Sequence, residues 1–248
     1  MPIHRITWNE KHRFATVHNW GCTFKCPVCS YRLRSGANGP PGFSTPKPAS
    51  FLSAEDVETT LRSLPIERVF FMGGEPTTAR ELPRLLDFAK NTLGLGTFLG
   101  HTNGWQLPLP NLDGANVGLK AWDPVVHLAY TGRDKSRIFD NFANSVRAGL
   151  KMRANVVFVP GWVDLDQVEA IASWIASLSV DIPFHIMGYI PVPGQPYPRP
   201  TEEQMARTVE ACQRHLRKVG FSHLTSAQAL DLTERDDRFA SRQVAGGL

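Results

Sequence analysis

Short apolar runs alternate with helical patterns along most of this chain, and this alternation is what most restricts its fold. About six runs have the β-branched and aromatic composition typical of strands, at residues 14–18, 68–72, 96–101, 117–121, 155–159 and 182–187. Helical patterns lie between them, at residues 53–64, 79–93, 138–150, 165–178 and 201–218. This order predicts an α/β protein with a parallel sheet and crossover helices. Six strands are fewer than the eight of a complete barrel.

Two of these helices have clear N-terminal signals. Ser53 is followed three residues later by Asp56, which is the spacing of a capping box. Thr201 is followed directly by Glu202 and Glu203, whose negative charges favour the N-terminal end of a helix. Both helices are therefore predicted to begin at these hydroxyl residues.

Length and composition fit one well-buried domain of the α/β-barrel size class. The chain has 248 residues, of which 42% are hydrophobic and 20% charged. Residues 1–224 are predicted to form this domain, with a Gly- and Pro-rich loop at 35–50 inside it, and residues 225–248 to form a loosely ordered polar tail. No apolar run reaches the length of a membrane span, so a soluble protein without membrane contact is expected. The net charge of +4 suits an anionic cosubstrate, an acidic protein or a nucleic acid.

Three of the four cysteines lie in one short loop after the first predicted strand. Cys22, Cys26 and Cys29 have the spacing C-x3-C-x2-C, which lets one loop direct three thiolates at a single inorganic centre. Soft sulfur ligands select zinc or an iron–sulfur cluster over hard cations. Three ligands suit a [4Fe–4S] cubane with one iron left open, whereas structural zinc wants a closed set of four.

Two other interpretations of the cysteines stay open at this point. His18 could complete a zinc knuckle as the fourth ligand. A disulfide within the loop is disfavoured because the closed rings would be cramped, and the oxygen-sensitive thiolates argue for a reducing, cytoplasmic compartment. Cys212 lies in a helical pattern and is expected to be a small buried apolar residue, which leaves cysteines for one cluster only.

A glycine pair ends the second predicted strand. The sequence Gly73-Gly74-Glu75-Pro76 lets the backbone turn sharply and approach a ligand without side-chain bulk. The carboxylate that follows is positioned to accept from an ammonium group. By itself this sequence is an ordinary turn.

The cysteine spacing and the Gly-Gly-Glu-Pro turn, in this order, resemble the two signatures of the radical S-adenosylmethionine (radical SAM) enzymes. In that family three cysteines hold a [4Fe–4S] cluster whose open iron chelates S-adenosylmethionine, and the second motif holds its amino group. The resemblance implies a partial (β/α)6 TIM-like barrel, and Cys22, Cys26 and Cys29 as cluster ligands. It also implies reductive cleavage of S-adenosylmethionine to a 5′-deoxyadenosyl radical that abstracts hydrogen from a substrate.

The later strand ends are similar to one branch of the family, the activating enzymes of glycyl radical enzymes, typified by pyruvate formate-lyase activating enzyme. This likeness implies a further set of contacts with S-adenosylmethionine. They are Asn103 in Thr-Asn-Gly, Lys120 and His185 for the carboxylate and ribose, and Val159 and Pro160 beside the adenine. Where the family has acidic residues before Thr-Asn-Gly and before the Leu-Lys pair, this chain has His101 and Gly118.

The branch implies two partners. One is an external one-electron donor of flavodoxin or ferredoxin type. The other is a protein whose glycine is the hydrogen donor, with Arg32, Arg34 and residues 36–48 as a docking surface. A small molecule or a nucleotide is the alternative substrate, and a nucleic acid is a less favoured partner. An electron carrier or a zinc-binding module is the interpretation outside enzymes.

Overall fold

The computed structural model describes residues 2–235 and 241–247, in which strands and helices alternate. The strands are β1 (Ile3–Asn9), β2 (Phe14–Asn19), β3 (Arg68–Gly73), β4 (Gly96–Thr102), β5 (Gly114–Gly118), β6 (Lys151–Phe158), β7 (Phe184–Gly188), β8 (Val219–Ser222) and β9 (Ser241–Gly246). The helices are α1 (Arg32–Ser35), α2 (Ala54–Ser63), α3 (Leu82–Asp87), α4 (Pro124–Thr131), α5 (Ser136–Arg147), α6 (Leu165–Leu178), α7 (Glu202–Gln213) and α8 (Ser226–Arg235).

The strands form a single sheet in the order β8-β7-β6-β5-β4-β3-β2-β1-β9. Neighbours from β2 to β8 pair in parallel. Strand β1 is antiparallel to both β2 and β9. Because each parallel neighbour must return across the sheet, the helices cover one face of it.

The sheet curls around an internal cavity of about 1090 Å³. Arg5 of β1 and Gly220 of β8 both line this cavity, although their strands lie towards opposite ends of the sheet. Alternate strand residues such as Val69 and Phe71 point the other way and are almost fully buried in the apolar core with the helices. The architecture is the partial barrel that the sequence resemblance implies, and this part of the prediction is confirmed.

The six predicted strands are all present, as β2 to β7, with ends shifted by a few residues. The capping box predicted at Ser53 is present, and the predicted start at Thr201 is also a capping box. The Ser53 hydroxyl accepts from the backbone of Asp56, and the Thr201 hydroxyl accepts from the backbone of Gln204. Each side chain three residues on returns the bond to the cap residue, so these helices begin where their own local sequence directs.

Three strands towards the ends of the sheet, and helix α8, were not predicted. The sequence predicts no strand before residue 14, no strand at 219–222, and a loosely ordered tail after residue 225. Instead β1 precedes β2, β8 extends the sheet beyond β7, and the described tail residues form α8 and β9. The prediction of a loosely ordered tail was wrong for these residues because β9 pairs with β1, a contact that no local pattern encodes.

Two predicted helices also differ from the structure. The helix expected at 79–93 begins at Leu82 and continues after Asp87 as a π-helical turn at Phe88–Thr92. The helix expected to reach residue 218 ends at Gln213, and Gly220 lies within β8. In the part of the chain that the structure describes, no helix has both the length and the apolar character needed to cross a bilayer.

Candidate radical chemistry site

The cysteine loop follows the carboxyl end of β2. Cys22, Cys26 and Cys29 are each partly buried. The backbone N–H of Phe24 donates to Cys22 Sγ over 3.4 Å, and the amide of Cys29 donates to the carbonyl of Cys26 over 3.3 Å. Burial raises the pKa of the Cys26 thiol to about 12, with the charge of nearby Lys120 acting in the opposite direction and the other two thiols raising it further. The three thiols are therefore close enough to influence one another.

Two glycines of the Gly-Gly-Glu-Pro turn let three backbone segments meet. A Cβ atom at Gly74 would lie 2.0 Å from the carbonyl oxygen of Gly21 and 2.5 Å from that of Gly42. Gly73 has a φ of +113°, and a Cβ there would lie 2.3 Å from the carbonyl oxygen of Asn19. The amide of Gly21 donates to the carbonyl of Gly42 over 2.7 Å. Only glycine fits at these positions, so the turn holds the cysteine loop against the 35–50 loop.

Glu75 is buried, and its carboxylate accepts hydrogen bonds from other residues of this chain. Its Oε1 accepts from the backbone and hydroxyl of Thr77 and from the hydroxyl of Thr102, at 3.1, 2.7 and 2.8 Å. Its Oε2 accepts from the backbone of Asn103 at 2.6 Å. Burial raises the pKa of this carboxyl, while the four donors oppose that rise. The carboxylate thus joins the ends of β3 and β4, and an ammonium contact through it stays a prediction.

Asn19 is a site residue that sequence reasoning missed. Its side-chain amide donates to the carbonyl of Glu75 over 2.7 Å and to the hydroxyl of Thr78 over 3.0 Å, and its Oδ1 is buried without a hydrogen-bond partner. This buried amide links the end of β2 to the turn after β3. The sequence signal that could have identified it is a polar residue between an apolar strand and the cysteines. This signal is weak, because Asn is also common at strand ends where it favours a turn.

Asn103 directly follows β4 and lies beside the cysteine loop. Its Nδ2 is 4.0 Å from Cys22 Sγ and 3.4 Å from the hydroxyl of Thr23. Its Oδ1 accepts from the amide of Trp105 over 2.9 Å, which orients the side chain. The amide therefore points towards the proposed cluster ligands, and Pro76 lies buried in the short turn that follows Glu75.

Lys120 and His185 belong to one level of the barrel interior. Gly118, Asn155, His185 and Gly220 are in register on four adjacent strands. A Cβ atom at Gly118 would lie 2.5 Å from Lys120 Nζ, so the glycine leaves room for the lysine. His185 is half-buried and lines the cavity, and burial lowers its pKa. Its contact with S-adenosylmethionine stays a prediction.

Val159 and Pro160 form a buried turn after β6. The amide of Val159 donates to the carbonyl of Val163 over 3.0 Å. Trp162 in the same turn stacks on Tyr130 with ring centroids 4.7 Å apart. Burial raises the pKa of Tyr130 well above its usual range, and the nearby Cys26 and Cys29 contribute to the rise. The turn is thus connected to the cysteine loop through two stacked rings, and the adenine contact stays a prediction.

The donor set fits a cluster with one open position. Within residues 2–235 and 241–247, no three His, Cys, Asp or Glu side chains are close enough together to hold a single metal ion. In a cubane each cysteine binds a different iron atom, so its three ligands need not converge on one point. Cys212 is buried in α7, with its thiol 3.9 Å from the carbonyl of Val168, away from the loop.

The chain is similar to several known proteins. The model of the radical SAM superfamily matches residues 16–175. A protein of Methanocaldococcus jannaschii named as a glycyl-radical enzyme activating enzyme is 24% identical over 235 residues, which cover 90% of this chain and 84% of that protein.

Two further matches cover less of the related protein. The GTP 3′,8-cyclase of Aeromonas hydrophila is 26% identical over 175 residues, 66% of this chain and 50% of the cyclase, so the chain spans half of that enzyme. The crystal structure of Streptococcus suis SuiB bound to S-adenosylmethionine matches with a TM-score of 0.62 and 19% identity, over 87% of this chain and 52% of that chain. At this identity the structural match supports the fold alone.

Proposed function

The chain belongs to the radical SAM superfamily, and we propose that Cys22, Cys26 and Cys29 hold its [4Fe–4S] cluster next to S-adenosylmethionine bound at the strand ends. When bound, these two groups supply reductive cleavage of a carbon–sulfur bond to methionine and a 5′-deoxyadenosyl radical, which takes hydrogen from a substrate. The observation that carries the proposal is the contact of the Gly-Gly-Glu-Pro turn with the cysteine loop at Gly74 and Gly21.

The chain's own residues bind and orient the cosubstrate. Lys120 carries a positive charge beside the cysteine loop and has no hydrogen-bond partner among the described residues, so it is free to bind a carboxylate. His185 offers a ring N–H from the same level of the barrel, and Asn103 offers its amide at the end of β4. Val159 and Pro160 form an apolar wall for the adenine. The buried turn around them keeps water from the reacting carbon–sulfur bond.

Two substrate classes have support. A glycine of a partner protein is favoured by the similarity to the M. jannaschii protein, which extends over most of both chains. A small molecule is favoured by the cavity of about 1090 Å³ inside the barrel, which is larger than one drug-sized ligand needs. The reaction at the cosubstrate is the same in both cases.

The electron donor is proposed to dock beside the cysteine loop. The guanidinium groups of Arg133 and Arg137 lie 5.1 and 4.4 Å from the centre of the Trp105 ring. Trp105 in turn contacts Phe24 of the cysteine loop, where Lys25 is exposed. An exposed basic and aromatic patch is complementary to a small acidic carrier of flavodoxin or ferredoxin type.

This docking proposal is tested by the rate of cluster reduction. Arg137→Glu should slow reduction by a flavodoxin about tenfold or more at low salt, because charge reversal acts mainly on association. Reduction by dithionite should be unchanged. Arg147→Glu, a matched reversal on the exposed end of α5, is the control. Equal rates for the two variants with flavodoxin would contradict this docking surface.

The cluster assignment is tested with cysteine variants. Anaerobic reconstitution should give a brown, reducible protein that cleaves S-adenosylmethionine. Cys→Ala at any of the three loop cysteines should abolish iron loading and cleavage, because each thiolate is a required ligand. Cys212→Ala is the control and should retain both activities, with a small loss of packing energy.

Other results would contradict these proposals. Colourless protein containing one equivalent of zinc would contradict the cluster, and so would full cleavage by any variant of the three loop cysteines. Radical formation without loss of hydrogen from an added glycine peptide would argue against the partner-protein substrate.

A further inference from the structure

The charged side chains that line the barrel cavity are basic. Among the described residues that line it there are no Asp or Glu side chains. The positively charged lining residues include Arg5, Arg153 and Lys218, whereas His18, His101 and His185 line the cavity with pKa values that burial lowers. A cavity with walls of one sign concentrates ligands of the opposite sign.

Two guanidinium groups in this cavity are unpaired. Arg153 of β6 is exposed to the cavity and makes no hydrogen bond or ion pair with the described residues. Arg5 of β1 lines the same cavity, and its Nε is buried without a hydrogen-bond partner. The buried Nε of Arg5 carries a desolvation cost that a bound anion would offset, and the exposed guanidinium of Arg153 is accessible to the same anion. Both therefore have unused capacity for an anion.

Arg153 lies below the level assigned to S-adenosylmethionine. It pairs in register with Asn116, whereas Asn155 pairs with Gly118, over which the Lys120 amine lies. Two residues along a strand correspond to about 7 Å, so Arg153 is one interior level deeper in the barrel than Lys120. Asn155 donates to Asn116 over 2.9 Å and separates the two levels. The deeper charge is thus placed for a second ligand.

The cavity also has room for a small-molecule ligand. A pocket for one drug-sized molecule measures roughly 300–1,000 Å³. The cavity of about 1090 Å³ exceeds this range, and it reaches from the residues next to Cys29 down to Lys218 at the start of β8. Helix α8 contributes Leu230 and Leu232 to its wall, so an apolar helix face borders the cavity near β8.

We propose that the substrate is a small organic anion bearing a carboxylate or phosphate group, held by Arg153 and Arg5 beneath S-adenosylmethionine. This proposal rests on the proposed function, because it places the anion where a radical formed at the strand ends would reach it. Guanidinium groups bind both kinds of oxyanion through two parallel hydrogen bonds. The hydrogen donor is then a carbon of this anion and not a glycine of a partner protein.

The test uses reconstituted holoenzyme saturated with S-adenosylmethionine under anaerobic conditions. Isothermal titrations with inorganic phosphate and with succinate separate the two oxyanion chemistries, and succinamide is the uncharged control. We expect saturable one-site binding of at least one anion at millimolar concentration, and none of succinamide. Arg153→Gln should weaken that binding at least about tenfold. Arg147→Gln removes the same charge from the outer surface and should leave it unchanged.

The proposal is overturned if no anion binds, if succinamide binds equally well, if Arg153→Gln has no effect, or if the anion displaces S-adenosylmethionine. A parallel loss of S-adenosylmethionine affinity in Arg153→Gln would assign the arginine to the cosubstrate and also overturn it. Cleavage of S-adenosylmethionine by the wild-type preparation with dithionite is measured alongside. Absent cleavage contradicts the proposed function, whereas normal cleavage without anion binding contradicts only the anionic substrate.

Discussion

Some polar residues of this site hydrogen-bond to other residues of the chain, and others are available to bind a ligand. Glu75 and Asn19 use their polar atoms to connect the ends of β2, β3 and β4. Lys120 and Arg153 have no hydrogen-bond partner in the described part of the chain. Because both cations are accessible and unpaired among the described residues, we expect anionic ligands to bind there.

His185→Ala tests the ligand role at the residue scale. A hydrogen bond to a charged group contributes about 1.5–3 kcal/mol. Loss of the ring should therefore weaken S-adenosylmethionine binding about tenfold to a hundredfold. Iron content and thermal stability should change little, because the ring faces the cavity. The hydrogen bond of the ring among the described residues is the one to the Ser222 hydroxyl, at 3.2 Å.

The control for this prediction is His215→Ala, which removes a histidine that pairs with Glu169 on the outer surface. Equilibrium titration and thermal unfolding are measured on both variants. Lost stability with normal affinity in His185→Ala would make it a structural residue.

At the scale of elements, loops and not strands hold the cysteines. The Gly- and Pro-rich loop at 35–50 packs on the cysteine loop. The ring centroids of Phe43 and Trp20 are 4.6 Å apart. The Trp20 Nε1 donates to the carbonyl of Ser44 over 3.2 Å. The loop is thus a wall of the site, and its Gly42 lies against Cys22.

Gly74→Ala tests whether this contact between loops is needed. The added methyl would lie 2.0 Å from the Gly21 carbonyl, so the cysteine loop must move. We expect a large loss of iron loading, measured as iron per protein after reconstitution. Gly149→Ala has no atom within 4 Å of the new methyl and carries only the cost of its left-handed backbone, about 1–2 kcal/mol. Equal iron loading in the two variants would contradict the role of Gly74.

On the scale of the whole molecule, basic groups inside the barrel link stability to pH. Burial, then the charge of Arg5 and then His4, lowers the pKa of His18 from 6.5 to about 3. The unfolded chain binds a proton below pH 6.5, and the folded chain does not until about pH 3. Stability is therefore complete above pH 6.5 and decreases as the pH falls towards 3.

The size of this effect follows from proton linkage. Between pH 7 and pH 5 one such histidine should cost about 2 kcal/mol of unfolding free energy. His18→Gln should remove that share of the pH dependence, and urea unfolding of both proteins at the two pH values measures it. The same pH dependence in both would show that His18 does not remain neutral in the folded protein.

Much of this protein was predictable because its signals are local. The spacing of Cys22, Cys26 and Cys29, the glycine pair at 73–74 and the caps at Ser53 and Thr201 each act within one turn of chain. Hydrophobic periodicity likewise located β2 to β7, because each of these strands is buried by its own pattern of side chains.

By itself the sequence determined the cluster chemistry, the order of the elements and the parallel sheet. Only the tertiary structure decided that β9 joins β1, that Glu75 faces Thr102 and Asn103, and that Arg153 lies in a cavity without acidic partners. The physical reason is that strand pairing, the burial of a charge and the contacts of a side chain depend on residues far apart in the sequence. Their free energies exist only once the sheet has closed around its interior.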